Sequence, residues 1–187
     1  TFELIPVTGR TESAFERVAL PWRSLAVLHH GAVVRDASGD LAPLWAQAIR
    51  PGLEAAQPAL EAAHARLERE LPEGSRIRLH TSGGLLTYVS LKSGDDDGRL
   101  ERFVAGWPAP AGLAWMANDR NAALFARACS KRETVRHLLA AWRAAGPVLA
   151  VGLGDSEGDL GFLRACDFYL TRPGTQIDRA LGPLARS

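Results

Sequence analysis

The fold is decided by the stretch Val148-Leu149-Ala150-Val151-Gly152-Leu153-Gly154-Asp155-Ser156-Glu157-Gly158-Asp159. Its apolar first half, together with Pro147, is typical of a parallel strand that is buried on both faces. A glycine turn then presents the carboxylates of Asp155 and Asp159 at the start of a helix. Because ligands of open α/β sheets bind beyond the carboxyl ends of the strands, the sequence predicts a ligand site here.

Three interpretations of this site follow from its residue types. Two carboxylates suit Mg²⁺, which takes few protein carboxylates and completes its shell with water and substrate phosphate. Alternatively, Asp155 or Ser156 caps the helix and Asp159 stabilises its first turn. The segment Gly154 to Gly158 also matches the G-x-S-x-G turn of serine hydrolases, but that fold needs a histidine after the serine, and all 5 histidines precede it.

The N-terminal third predicts the start of an α/β unit. A strand over 2–7 leads into a turn, and Ser13 and Glu16 have the spacing of a capping box that opens a helix to about residue 20. A second strand over 24–28 ends at His29-His30-Gly31. Residues 32–39 then resemble one arm and the turn of a hairpin.

The middle of the chain predicts a separate α+β module with antiparallel strands. A helix face runs from Leu53 to Leu71, with Pro58 as its start or a kink. Further predicted elements are strands over 76–80 and 85–91, a short helix to 106, and a hairpin of 112–116 with 122–126.

The last third returns to α/β, with a helix over 131–145 and a short strand over 168–170. The predicted organisation is therefore an α/β part over 1–45, an α+β module over 46–127 and a second α/β part over 128–187.

Composition excludes several classes of protein. The hydrophobic fraction of 47% and the charged fraction of 23% are typical of a folded globular chain. A net charge of +1 argues against a nucleic-acid partner, and no apolar run is long enough to span a membrane. Cys129 and Cys166 have no paired spacing, which favours two reduced thiols and a cytoplasmic location.

Three segments resemble motifs of the haloacid dehalogenase-type (HAD) phosphatases. Ile5 to Arg10 resembles the second motif, a strand that ends in Ser or Thr; Lys131 resembles the lysine of the third; and Gly154-Asp155-Ser156 with Asp159 resembles the fourth. The antiparallel block lies where the Cof-like, type IIB branch inserts its cap. This branch includes sucrose-phosphatase-like and mannosyl-3-phosphoglycerate-phosphatase-like enzymes. The resemblance implies an α/β, Rossmann-like core with a parallel sheet, and an inserted α+β cap.

The resemblance also implies a Mg²⁺-dependent phosphomonoesterase that forms an aspartyl-phosphate and acts on a sugar phosphate or similar small metabolite. By this resemblance, Thr8 hydrogen-bonds the transferring phosphoryl group, with the Gly9 amide beside it. Lys131 neutralises phosphate charge and positions the nucleophile. Asp155 ligates Mg²⁺, and Asp159 holds a metal-bound water or orients Lys131. Without the resemblance, Thr8 can also be interpreted as a turn residue or a cap, and Lys131 as an ordinary exposed helix lysine.

Phosphate or substrate binding is further expected at residues of the motifs and of the cap. These candidates are Gly9, Arg10, His30, Ser156, Arg78 and Lys92. Arg78 lies on a polar strand face with Arg76 and His80, and Lys92 ends the partner strand. That face binds a sugar or an anionic group, or it is simply a solvated sheet face.

The chain departs from the family pattern in two ways. It has no D-x-D-G-T segment: the run Asp95-Asp96-Asp97-Gly98 follows no apolar strand and is interpreted as a solvated turn. We therefore expect the nucleophilic aspartate upstream of Thr1, as the single Met116 also suggests; the alternative is a catalytically inactive binding or regulatory relative. Second, His30-Gly31 stands where the family often has Asn-Gly. Metal ligation by both His29 and His30 is disfavoured, since neighbouring strand residues point to opposite faces.

Overall fold

The structure, a computed structural model, describes residues 3–18, 24–94, 98–118 and 120–180. Contacts within the chain divide it into two compact units, Thr1–Ser130 and Lys131–Ser187. The three-part division into two core parts and a cap stays a prediction.

The first unit contains two small sheets and three helices among its described residues. In chain order its elements are α1 (Glu12–Glu16), β1 (Ala26–Leu28), β2 (Val33–Arg35), α2 (Arg50–Glu70), β3 (Ser75–Ser82), β4 (Leu85–Ser93), α3 (Arg99–Gly106), β5 (Leu113–Asn118) and β6 (Asn121–Ala126). The second unit contains α4 (Lys131–Ala145), β7 (Val151–Leu153), α5 (Leu160–Leu163), β8 (Phe168–Leu170) and α6 (Gln176–Ala180).

The N-terminal segment forms less β-structure than the sequence predicts. The predicted strand over 2–7 is reduced to a parallel bridge between Val7 and Val27, and residues 1 and 2 lie outside the described part. β1 pairs antiparallel with β2. The predicted capping box at Ser13 is wrong: the cap of α1 is Thr11, whose hydroxyl accepts from the Ala14 amide at 3.4 Å. The end of that predicted helix lies outside the described residues.

The core of the first unit is a four-stranded antiparallel sheet in the order β3-β4-β6-β5, with α2 and α3 packed against it. In α2, Leu53, Leu60 and Leu67 are fully buried because their spacing places them on one face of the helix. The predicted strands and the hairpin are confirmed. Pro58 does not start the helix: α2 begins at Arg50, after a π-helical turn over Trp45–Ile49.

A buried polar network joins α1 to the strands of this sheet. One Glu12 oxygen accepts from Ser82 Oγ at 2.6 Å and from Arg35 at 2.8 Å, and the other bonds His29 Nε2. On the opposite ring edge, His29 Nδ1 lies 2.7 Å from Thr87 Oγ1. Burial alone raises the pKa of Glu12, but the hydrogen bonds from His29, Ser82 and Arg35 outweigh it and hold that pKa well below its ordinary value.

The second unit is built on a two-stranded parallel sheet. Val151 pairs with Phe168 and Leu153 with Leu170, which confirms the predicted parallel strand of the α/β class. The prediction that this strand is buried on both faces is wrong. Leu149 is 72% exposed and Leu153 is 66% exposed, whereas Gly152 between them is buried against Leu163 of α5.

We expect Leu60→Ala to lower the free energy of unfolding by about 2–5 kcal/mol, since it removes a fully buried side chain between α2 and the sheet. Urea denaturation measures the change. The matched control is Glu61→Ala on the exposed face of the same helix, which should stay within about 0.5 kcal/mol of the parent. Equal effects of the two substitutions would contradict the packing described for α2.

We expect acid to weaken the fold through Glu12. The pKa of Glu12 is lower in the folded chain than in the unfolded chain. At pH values between the two, the folded state therefore binds fewer protons than the unfolded state. The stabilisation is therefore complete above the unfolded value of about 4.3 and is lost as pH falls from there toward the folded value. Urea unfolding across this pH range measures the effect. In Glu12→Gln the free energy of unfolding should fall less steeply as pH is lowered, whereas in Glu16→Gln, on the exposed side of α1, it should fall as in the parent. An unchanged slope in Glu12→Gln would contradict this assignment.

Candidate functional site

The turn after β7 is shaped by the close approach of Asp159. A Cβ atom on Gly154 would lie 2.9 Å from the Asp159 Cβ and 3.0 Å from Leu163 Cδ1, so only glycine fits there. Similarly, a Cβ on Gly152 would lie 2.7 Å from Leu163 Cδ2. The glycines of the motif therefore let the helical turn that follows β7 fold back against the strand end.

Asp159 lies at the centre of a cluster that includes two predicted site residues. Its Oδ1 accepts from Lys131 Nζ at 2.7 Å, and its Oδ2 accepts from Ser156 Oγ at 2.9 Å. The side chains of Lys131 and Asp159 are only 12% and 11% exposed. The contact with Ser156 closes a capping box at the helical turn Glu157–Asp159. Of the two predicted caps, Ser156 is the one observed, and Asp159 both completes the capping box and contacts Lys131.

Ser156 is tied into this cluster rather than arranged as a hydrolase nucleophile. Its hydroxyl donates to the Asp159 carboxylate and not to a histidine. The G-x-S-x-G match therefore describes a helix cap.

Asp155 differs from Asp159 in its surroundings. It lies in the same turn but is exposed, and among the described residues its carboxylate has no hydrogen-bond partner. Its carbonyl accepts from the Ile177 amide at 3.4 Å, which holds the turn beside α6. Asp155 is therefore the carboxylate of the motif that is available to a ligand.

The donor set at this turn suits Mg²⁺ with few protein ligands. Within the described ranges, no group of three or more His, Cys, Asp and Glu side chains is arranged to hold a metal ion. Mg²⁺ retains several waters and binds through one or two carboxylates plus substrate phosphate, so Asp155 fits this chemistry without a full protein cage.

Thr8, Gly9 and Arg10 form a turn in the first unit. The Thr8 amide donates to the Val27 carbonyl at 2.9 Å, and Thr8 Oγ1 accepts from the Arg10 amide at 3.2 Å. This is the turn role that the sequence left open for Thr8. Because a hydroxyl both accepts and donates, the Thr8 proton remains available to donate to a ligand. Arg10 is exposed and contacts the Ala14 carbonyl at 3.4 Å.

His29 and His30 follow β1 in a 3₁₀ turn and not within a strand. Both have positive φ angles, 50° and 59°, a conformation that costs energy for non-glycine residues. His29 is buried in the Glu12 network, whereas the His30 ring covers Gly9, where an added Cβ would lie 2.3 Å from the ring. The expectation that the two side chains point to opposite faces of a strand is wrong: both rings pack edge-on against Tyr88, with ring centroids 5.5 Å and 4.9 Å away.

His30, Arg78 and Lys92 line one pocket of about 570 Å³ on the face of the four-stranded sheet. Tyr88 and His80 stack in this pocket with ring centroids 4.1 Å apart. Burial, followed by the charges of His29 and Arg78, lowers the pKa of His80 to about 4, and burial raises that of Tyr88 to about 12.

Glu12, Thr87, Tyr88 and Arg120 also belong to these sites, although the sequence did not indicate them. Glu12 stands beside the predicted helix cap at Ser13, and nothing in its local sequence indicates its hydrogen-bond partners, which include Ser82, 70 residues away. The signals in the sequence that pointed to the pocket were the alternation of Arg76, Arg78 and His80 and the position of Lys92 at the end of the partner strand.

Two further findings bear on predictions from composition. Cys129 and Cys166 are both free thiols, as expected, and burial raises the pKa of Cys129 to about 12. Across the described ranges, no helix combines the length and apolarity needed to cross a bilayer.

Comparison with known proteins shows similarity in structure and not in sequence. No family model and no curated protein matches the chain. Among solved structures, a sucrose-phosphatase from Synechocystis, in complex with sucrose and phosphate, is 13% identical with a TM-score of 0.62, over 96% of this chain and 82% of that one. A haloacid dehalogenase-like hydrolase from B. subtilis is 17% identical with a TM-score of 0.54, over 96% and 85%.

A HAD subclass IIB sugar phosphatase is 11% identical with a TM-score of 0.56, over 91% of this chain and 80% of that one. At these identities the similarity shows the fold. The chain therefore has the fold of the haloacid dehalogenase-like hydrolases, and the predicted resemblance is confirmed at that level.

Proposed function

We propose that this protein is a Mg²⁺-dependent phosphatase of the HAD type that hydrolyses a sugar phosphate or a similar small phosphorylated metabolite. The observation that carries the proposal is the buried Lys131–Asp159 ion pair beside the exposed Asp155, in a chain with the fold of known phosphatases. Phosphoryl transfer requires positioning and neutralisation of charge, and a held lysine with a carboxylate-bound cation supplies both.

Lys131 is the residue that we assign to phosphate neutralisation. Asp159 uses one oxygen to hold the ammonium group and the other to bind Ser156, so the lysine is positioned from the helical turn. Because two of the three ammonium protons remain after this bond, Lys131 can still donate to phosphate oxygens. Asp159 is therefore proposed as the residue that orients Lys131.

Asp155 is the side chain that would hold Mg²⁺. When bound, the ion would neutralise phosphate charge and polarise the phosphoryl oxygen. Thr8 would donate its free hydroxyl proton to the transferring group, with the Gly9 amide beside it. The nucleophilic aspartate is expected upstream of Thr1.

A cytoplasmic location is part of the same proposal. The two free thiols support it, because thiols stay reduced in that compartment.

We expect Asp155→Asn in the full-length protein to reduce Mg²⁺-dependent phosphate release by roughly 100-fold or more, because the substitution removes the charge that holds the ion. Phosphate release is measured over a panel of sugar phosphates, with Mg²⁺ and with EDTA. The control is Glu157→Gln, an exposed acid in the same turn, which should keep parental activity. Absence of any Mg²⁺-dependent release from the parent protein would overturn the proposal in favour of an inactive binding relative.

We expect Asp159→Asn to lower the free energy of unfolding by about 3–5 kcal/mol, since it leaves the Lys131 charge buried without its partner. Urea denaturation measures the loss. The double variant Asp159→Asn, Lys131→Met removes the stranded charge and should recover part of the stability. A loss below about 1 kcal/mol in the single variant would contradict a buried pair.

A further inference from the structure

We propose that the pocket on the four-stranded sheet binds a second negatively charged group of the substrate, a carboxylate or a phosphate, in addition to the phosphate that is hydrolysed. This inference rests on the proposed function and narrows its substrate class. It is carried by the geometry and the charge of the pocket, both of which lie within the first unit.

The pocket floor is one face of the sheet, because its residues alternate along β3 and pair across to β4. Arg76 lies opposite Lys92, Arg78 opposite Ser90 and His80 opposite Tyr88. Successive pairs along a strand lie about 7 Å apart, since each residue rises about 3.4 Å. The face is therefore a row of three cross-strand pairs, with an aromatic end at His80 and Tyr88 and a cationic end at Arg76 and Lys92.

The cationic end carries an unfavourable arrangement for a protein without a ligand. Arg76 and Lys92 are directly opposed like charges, which destabilise an antiparallel pair. Arg120, which precedes β6, also lines the pocket. An anion bound between these side chains would remove the repulsion.

Within the described part of the chain, no acidic residue lines this pocket. Among the same residues, Arg76, Arg78 and Lys92 have no ion-pair partner, whereas Arg50 and Arg66 on α2 each pair with a glutamate one turn away. The run of three aspartates at 95–97 lies outside the described residues, and a separate variant tests its effect on binding.

The aromatic end lies next to the turn that we assign to phosphate binding. The His30 ring covers Gly9 and contacts Tyr88, with ring centroids 4.9 Å apart. A ligand that extends from this end reaches the cations at Arg78 and Arg76 after roughly 7 to 14 Å along β3. This span suits a short carbon chain with an anionic group at each end.

The first experiment compares matched substrates that differ in the second charge. Glycerol 3-phosphate with 3-phosphoglycerate tests a carboxylate, and fructose 6-phosphate with fructose 1,6-bisphosphate tests a phosphate. We expect kcat/KM for at least one substrate that carries a second anionic group to exceed that of its partner without this group by about tenfold or more, as charged hydrogen bonds imply. Equal values within both pairs would overturn the inference and leave the proposed phosphatase intact.

Variants then test whether the pocket produces the preference for substrates with a second anionic group. In Arg78→Gln and in Lys92→Gln the ratio between the two partners should fall toward one. The matched control is Arg69→Gln, the same change of charge on the exposed side of α2, which should keep the parental ratio. Replacement of Asp95, Asp96 and Asp97 by Asn should keep or raise the ratio. A ratio that survives both pocket variants would overturn the assignment.

A binding measurement keeps the two proposals distinguishable. Isothermal titration in EDTA compares fructose 1,6-bisphosphate with fructose 6-phosphate on the parent protein, Lys92→Gln and Arg69→Gln. If no phosphate release is found, the proposed function fails, but tighter binding of the bisphosphate that is lost only in Lys92→Gln still supports the anion site. Equal affinities for both ligands would overturn it. Thermal unfolding of each variant checks folding, and removal of a like charge should not lower Tm.

Discussion

The ion pair between Lys131 and Asp159 organises the second unit. It joins the first residue of α4 to the helical turn after β7, two elements that are 28 residues apart in sequence. Both side chains are largely buried, so the arrangement is stable only while each charge keeps its partner. The same carboxylate closes the capping box with Ser156, and Gly154 is required because Asp159 approaches it so closely. The single side chain of Asp159 thus explains why a glycine stands at 154, a serine at 156 and a lysine at 131.

In the first unit, the Glu12 network has the corresponding role. It connects α1, the turn at His29 and the ends of β3 and β4 through hydrogen bonds to one carboxylate and one imidazole. With His29 held in this way, the backbone keeps its positive φ angles and the next ring, His30, is directed over Gly9. The network therefore links the Thr8–Arg10 turn to the pocket on the sheet.

The sequence predicted the regular elements of this chain better than their surroundings. The helix over 131–145, the strand over 168–170 and the antiparallel strands were found where periodicity and turn residues placed them. The strand after residue 147 was also found, but its predicted burial was wrong, since Leu149 and Leu153 are exposed. An apolar run reports what a strand is able to bury, whereas its actual cover depends on which elements pack there.

The residues of the candidate site divide in the same way. By itself the sequence determined the motif around Asp155, the lysine that begins α4 and the alternating basic face of β3, because these depend on residue type and local spacing. Tertiary structure alone decided that Asp159 holds Lys131 while Asp155 stays exposed, and that Glu12 bonds Ser82 across 70 residues. It also decided that Arg76 opposes Lys92, since strand register sets that pairing. Such contacts depend on where the chain returns in space, and no local pattern of residues encodes that return.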